Sequence, residues 1–444
     1  MIKISTYSYF YIVLILGLFC NTLYSQPSEK LQSGPMVGYT EMREALLWVQ
    51  TRESAEVYFQ YASQADPNKV YTTSRVTTEK AKAYTAKVIA DQVEPGTDYT
   101  YTLFIDDKPV ELSYPTRFKT PPLWQYRTDP PEMTIAMGSC VFVNDSMYDR
   151  PGKPYGGEYE IFDAIHAVQP DLMLWLGDNI YLREADWYSR TGILYRYTHT
   201  RSLPEMQPLL ASSSHYAIWD DHDYGPNNSD NSYGRKETVE EVFSYFWGNP
   251  SVVDEDQGGI TSTFEWGDAQ FFLLDNRYHR SPNNKQTETR TILGQEQLQW
   301  LTDALVSSQA TFKFVCIGGQ VLNDADNFET YVNIAPEERM KLLQTIVKEE
   351  IPNVIFLTGD RHHSELSRYE KDDIVIYDFT ASPLTSGSHD ASDEPNSLRI
   401  EGSHVGVRNF GLMHISGTRE ERVLKLSLHD VEGKELFAYE IQAQ

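Results

Sequence analysis

Cysteine is scarce in this chain: 3 in 444 residues, one of which, Cys20, falls in the apolar segment near the start. That excludes a disulfide-dense scaffold. Cys140 and Cys316 leave room for one disulfide or two thiols, and Cys316, inside the apolar run Phe312 to Ile317, reads as a small core residue. Basic residues are also few, 38 Lys and Arg against 64 Asp and Glu, for a formal charge of −26 that grows by one unit if Lys3 leaves with a leader. Such a field repels nucleic-acid backbones and anionic bilayers and suits divalent cations, so no nucleic-acid-binding surface is expected. After residue 25 no run is apolar for long enough to span a bilayer. The sequence further lacks a Gly-x-Ser-x-Gly elbow, a Walker loop, a His-Glu-x-x-His helix and the glycine fingerprint of dinucleotide sites, so the chemistries that depend on them lose their signature.

What is present divides the chain in order. Residues 1–25 carry one Lys, an apolar run from Tyr9 to Phe19 and small or polar residues before Gln26, the pattern of a cleaved secretory signal, so a periplasmic or secreted protein is expected. Gly17-Leu18-Phe19 ahead of Cys20 is a poor lipoprotein signal. A leader over 26–37 precedes a segment, 38–120, of short apolar runs such as Ala45-Leu46-Leu47-Trp48-Val49 and Tyr99 to Ile105, separated by turn signals such as Glu94-Pro95-Gly96-Thr97. This predicts a small antiparallel β-sandwich, and Val93 to Tyr101 resembles the tyrosine-bearing strand entry of fibronectin type III domains. Pro121, Pro122, Pro130 and Pro131 mark a linker over 121–132. From 133 to 444 strands alternate with helices, an α/β pattern.

The stretch Pro170 to Tyr181, PDLMLWLGDNIY, sits at the centre of this second region. Leu172 to Leu176 is too short for a helix and reads as a strand buried on both faces, and Gly177 turns the chain so that Asp178 lies at the strand end, where α/β sheets collect ligands. An isolated Asp after such a strand is more often a helix cap. Other strands end in the same way: Met133 to Met137 at Gly138-Ser139-Cys140, Tyr216 to Trp219 at Asp220-Asp221-His222-Asp223, Phe312 to Ile317 at Gly318-Gly319-Gln320, and Val354 to Leu357 at Gly359-Asp360-Arg361-His362-His363. Each taken singly has an ordinary structural explanation: a solvated acidic turn, exposed histidines, a buried thiol. Together, carboxylates, imidazole, phenol and thiol at converging strand ends form a donor set suited to trivalent iron beside a harder divalent ion.

The ordered motifs GSC (138–140), LGDNIY (176–181), WDDHD (219–223), LDNRYHR (274–280), LGQEQLQWL (293–301) and GDRHH (359–363) resemble the PhoD-like alkaline phosphatases of the metallophosphatase superfamily. The resemblance covers Met133 to the C-terminus. It implies a two-sheet metallophosphatase-type α/β sandwich behind the small sandwich, with iron(III) (Fe3+) and calcium (Ca2+) as cofactors. It further implies that phosphate monoesters and diesters are hydrolysed by an iron(III)-activated hydroxide with calcium assistance. By position, Cys140, Asp178, Tyr181 and His362 match the iron ligands, Asp178 being the bridge. Asp221 and Asp360 match ligands of the divalent ion, and His222 matches the histidine that contacts the phosphoryl group and leaving oxygen. Arg361, or Arg277, is a candidate for holding a nonbridging oxygen or, equally, for a structural ion pair among so many carboxylates, and Gln320 is placed only by its strand end. Two other readings compete: a phosphodiesterase restricted to lipid or sugar phosphodiesters, and a secreted binding protein stabilised by calcium. The thiol and phenol argue against the second, since a structural calcium site has no use for them.

Overall fold

In the computed structural model, residues 29–250, 253, 256–326 and 330–444 are described. The expected secretory signal over 1–25 lies outside them. The described residues build three sheets. At the centre of the largest, Met133–Gly138, Leu172–Leu176 and Ser214–Ile218 run parallel in register, the βαβ arrangement expected from their apolar runs. The connecting helix is Ile161–Val168, which buries Ile161, Phe162 and Ile165, while Val168 at its end is 37% exposed. On one side the sheet is extended by the antiparallel strands Asn409–Ser416, Val423–Asp430 and Glu435–Gln442. The second sheet places Ala269–Leu273, Phe312–Cys316, Val354–Thr358 and Ile374–Thr380 parallel, with Ser262–Trp266 and Glu365–Lys371 at its edges. Ile135, Trp175 and Met413 of the first sheet share one buried core with Phe271, Phe314, Leu357 and Phe379 of the second, so the two sheets face each other. The opposite face of the second sheet packs on helices Gln295–Ser307 and Pro336–Lys348 through Phe272, Val315, Leu301 and Ile346. Cys140 and Cys316 are both buried free thiols.

The N-terminal region departs from the expected boundary. Residues 31–37, expected as a leader, belong to strand Leu31–Thr40, which joins the large sheet by pairing parallel with Ser214–Ile218 at Val37 and Ser214. Ala45–Thr51 and Thr85–Ala90 continue that sheet antiparallel. The sandwich is completed by a separate small sheet built on Glu56–Ser63 and Asp98–Ile105. Ala45–Thr51 is therefore buried on both faces: Leu46 and Trp48 point into the inter-sheet core, Leu47 and Val49 into the sandwich core with Phe59 and Tyr101. Its unbroken apolar run, rather than an alternating one, is what burial on both faces requires. Gly38 and Gly248 meet backbone to backbone, a Cβ on Gly38 falling 3.1 Å from the Gly248 Cα. Within the sandwich the Tyr99 hydroxyl accepts from the Glu94 amide at 2.7 Å, as in a tyrosine corner.

This continuity gives a first prediction. A variant starting at residue 121 loses the strand neighbour of Ser214–Ile218 and uncovers the apolar surface that Trp48 and Met36 close. An exposed apolar edge strand aggregates. The truncated protein is expected in the insoluble fraction, without a cooperative unfolding transition; a soluble, cooperatively folding fragment would show that the two regions are independent.

Candidate metal centre

The donor side chains sit where strands stop. Four of them are non-glycine residues with left-handed backbone: Cys140 (φ 62°), Asp178 (φ 52°), Asp360 (φ 67°) and His362 (φ 56°). Asp and His tolerate that region better than Cys, but each such residue costs on the order of 1–3 kcal/mol, strain that concentrates at functional sites. Gly177 (φ 89°) lets the DNIY turn lie against the next loop: a Cβ there would fall 2.7 Å from the Asp220 Cβ. Backbone bonds lace the turns together, Val141 N to Asp178 O at 2.7 Å and Leu182 N to His222 O at 3.1 Å.

Three overlapping groups result, in each of which one donor atom per residue lies within 4.8 Å of the others: Cys140, Asp178 and His362; Asp178, Asp221 and His222; Asp220, Asp221 and Asp360. Asp178 belongs to the first two and Asp221 to the last two. The Cys140 sulfur is 3.7 Å from Asp178 Oδ2 and receives hydroxyl hydrogen bonds from Ser382 at 3.2 Å and Ser139 at 3.4 Å. Burial and the nearby Asp360 push this thiol up to about 12 even though the hydroxyls pull the other way, so a thiolate here needs a cation beside it. Asp178 is likewise raised well above the carboxylate range by burial and then by the charges of Asp221 and Cys140. Burial opposes ionisation of Asp221 too, but His222 and Arg277 outweigh it and hold the carboxyl below its usual range. The Tyr181 phenol is raised by burial, then by Asp178 and Cys140. Its hydroxyl is 3.2 Å from His362 Nε2. His362 Nδ1 lies 2.6 Å from the Gly387 carbonyl, a contact that places the proton on Nδ1 and leaves Nε2, beside the Tyr181 hydroxyl, as the donor nitrogen.

The acidic run after Ile218 divides its labour. Asp221 faces the other donors, with Oδ2 accepting from Asn228 N at 2.6 Å and Oδ1 buried without a hydrogen bond, 3.8 Å from an Arg277 nitrogen. Asn227-Asn228 thus returns to the site despite the intervening Tyr224-Gly225-Pro226. Asp223 folds back to the amides of Asp220 and Asn179, both at 3.0 Å, and burial pushes it up to about 8. Asp220 pairs with Arg277 and accepts from Asn276 at 2.8 Å, while its second oxygen is buried without a partner. The His222 ring stacks on Tyr181 with centroids 4.2 Å apart, and its amide donates to Asp178 Oδ1 at 3.2 Å. Burial lowers its pKa, with Asp221 opposing, so the ring stays neutral more readily.

All six expected ligands and His222 therefore gather at one place. Arg361 does not join them. Its guanidinium is buried, donating to Gln320 Oε1 at 2.7 Å and to Glu394 at 2.5 Å. It belongs to a network around fully buried Glu365, because Glu394 offers a carboxylate that only the fold brings near. Gln320 is part of that network, donating to Glu365 at 2.9 Å and Thr380 at 3.0 Å, and is not turned to the donors. His363 is buried behind the site, 3.0 Å from the Arg361 carbonyl. Two residues escaped the sequence reading. Arg183 is a buried clamp that donates to the carbonyls of Tyr181 and Val143 and to Asp149 Oδ1, tying the DNIY turn to the segment after Cys140. Tyr155 brings its hydroxyl within 3.0 Å of His362 Nδ1.

The donors fit two ions. Thiol, phenol and imidazole with one carboxylate, Asp178, suit a trivalent transition metal, and the all-carboxylate set Asp220, Asp221 and Asp360, joined to Asp178 through Asp221, suits a hard divalent cation. The buried, unpartnered oxygens of Asp220 and Asp221 are acceptors that a cation satisfies.

A family model described as PhoD-like phosphatase matches residues 137–425, and one described as a domain of unknown function (DUF7800) matches 28–123. Alkaline phosphatase D of Bacillus subtilis (strain 168) is 27% identical over 395 residues, covering 75% of this chain; the chain spans 64% of that protein's length. Among solved structures, one of PhoD superimposes with a TM-score of 0.76 at 19% identity, over 94% of this chain and 91% of the other. A purple acid phosphatase from yellow lupin (Lupinus luteus) seeds gives a TM-score of 0.67 at 11% identity, over 92% and 74% of the two chains. At these identities the structural likeness is one of fold, and the fold is of the metallophosphatase type.

Proposed function

Because the chain belongs to the PhoD-like phosphatase family, we propose that it is an exported, metal-dependent phosphoesterase acting on small phosphate mono- or diesters. The observation that carries this reading is Asp178 shared by two donor groups, one with Cys140 and His362, the other with Asp221 and His222, while Asp221 links the second to Asp220 and Asp360. Cys140, Asp178, Tyr181 and His362 would hold iron(III), and Asp178, Asp221 and Asp360 would hold calcium. When bound, the ions supply charge for the phosphoryl oxygens and acidify water. The chain's own part is to position. Arg183 fixes the carbonyl of Tyr181 and hence the phenol; the Gly387 carbonyl fixes His362; the His222 amide fixes Asp178. His222, held on the Tyr181 ring, presents its N–H to the leaving oxygen. No protein nucleophile is needed. Arg361, tied to Glu394, has no part in holding the phosphoryl group. Export follows the secretory pattern at the start of the sequence, and among the described residues no helix is long and apolar enough to cross a membrane.

The test combines metal analysis, hydrolysis of a phosphomonoester and a phosphodiester, and visible absorption. A phenolate on iron(III) donates charge in the visible range, so active protein is expected to be coloured. Tyr181→Phe, which keeps the ring on His222, is expected to shift or bleach the band while leaving the fold intact. A fully active, colourless preparation would replace iron(III) with a redox-silent metal. Hydrolysis undiminished by exhaustive calcium chelation would remove calcium from the assignment.

A further inference from the structure

A cleft of about 620 Å³ leads away from the donors, with Tyr181 and His222 at its inner end. Its walls are aromatic, from Phe142, Tyr155, Tyr148 and Trp187, and Arg150 and Lys153 lie along it. Tyr148 and Tyr155 are 37% and 49% exposed, more than a packing role requires, and Phe142 packs edge-on against Tyr155 with centroids 5.0 Å apart. The charges run against the rest of the molecule, whose formal charge is −26. Of the two carboxylates in the wall, Asp149 is bound to buried Arg183 at 2.8 Å, and Glu184 meets Arg150 at 3.3 Å with the arginine side chain 84% exposed. Such a surface pair exchanges partners at little cost. Lys153 has no acidic partner among the described residues.

We propose that this cleft selects the ester arm: a planar, aromatic leaving group that carries a second anionic group. The inference rests on the phosphoesterase reading, since His222, at the inner end, is the group that meets the leaving oxygen. An arm extending outward from there passes between aromatic faces and arrives at Lys153 and Arg150. The cleft volume lies in the usual range for pockets that enclose ligands of some tens of heavy atoms. A compact alkyl phosphate leaves most of it unfilled. A neutral aryl arm uses the walls but not the cations, and an anionic aryl arm uses both. Tyr148, Arg150 and Lys153 are thus specificity-determining residues rather than part of the machinery.

The experiment measures kcat/KM for glycerol 1-phosphate, phenyl phosphate and 4-carboxyphenyl phosphate in the metal-replete enzyme and in Tyr148→Ala, Lys153→Ala and Arg150→Ala/Lys153→Ala. Comparing each variant with the wild type on the same substrate cancels leaving-group reactivity. Loss of a stacking face should lower both aryl esters about tenfold. Loss of the cations should lower only the carboxylated ester, by roughly three- to fivefold for Lys153 and more for the pair, through KM. Glycerol 1-phosphate should be unaffected. Equal losses on all three substrates, or none on any, overturn the inference. Titration calorimetry with non-hydrolysable 4-carboxybenzylphosphonate separates this from the activity itself: binding weakened by the same variants supports the cleft even if the wild type turns over none of the esters, and binding indifferent to them refutes it.

Discussion

Replacing Asp178 with asparagine is expected to abolish phosphoester hydrolysis and to release most of the bound metal. Asp178 is common to the group with Cys140 and His362 and to the group with Asp221 and His222, so one substitution removes an anionic donor from both. Asparagine keeps the shape and the oxygen that accepts from the His222 amide at 3.2 Å, which leaves the turn intact. Removing a charge-stabilising group from a site that excludes water costs on the order of a thousandfold, and losing both ions costs more. Stability should move the other way in metal-free protein. Burial, Asp221 and Cys140 raise the Asp178 pKa, so at neutral pH the folded state either takes up a proton there or carries a crowded charge, a penalty greatest above the usual carboxylate range and absent below it. The amide escapes it, and the metal-free variant should unfold at the same temperature as metal-free wild type or higher. Full iron content in Asp178→Asn, by elemental analysis, would sink the shared-ligand assignment.

The donors were legible before the fold because each follows an apolar run that can only be a strand. A short run buried on both faces must stop where the sheet stops, and polar residues at the stop have few reasons to be there. Leu172 to Leu176 followed by Gly177-Asp178 is the clearest case, and the left-handed φ of Asp178 shows the turn the glycine permits. The limits are equally physical. Arg361 is as compatible with an ion pair as with the substrate in the sequence, because side-chain direction depends on partners, and the one that holds it, Glu394, is 33 residues away. Arg183 carries no motif; its role exists only because Val143 and Asp149 lie within its reach. Tyr155 lies in the stretch 150–157, rich in glycine and proline, where no periodicity marks one residue above another. The merged N-terminal sheet did leave a trace. Ala45 to Val49 is apolar without alternation, which a sandwich with one face in water does not need, and the second core it buries belongs to the catalytic region.

His222→Ala is expected to lose activity by about 10²- to 10⁴-fold, the usual worth of a positioned proton donor, while keeping both metals. The site offers two roles for this imidazole. It lies with Asp178 and Asp221 in one potential ligand group, yet its ring is stacked on Tyr181 and lines the cleft, and burial lowers its pKa. A ligand is held on one side by its ion, whereas a group that meets the substrate must keep an edge open to the cleft, as His222 does. The outcomes separate cleanly. If the ring acts on the leaving oxygen, the variant retains iron and calcium and the Tyr181 absorption band stays in place. Its defect also depends on the substrate, being largest for an alkyl alcohol that leaves poorly without a proton and smallest for 4-nitrophenol, which leaves as the stable anion. Wild type should therefore show a weak dependence of kcat on leaving-group pKa and His222→Ala a steep one. Loss of metal in proportion to activity, with equal defects on every leaving group, would make His222 a ligand and transfer the proton-donating role to another group.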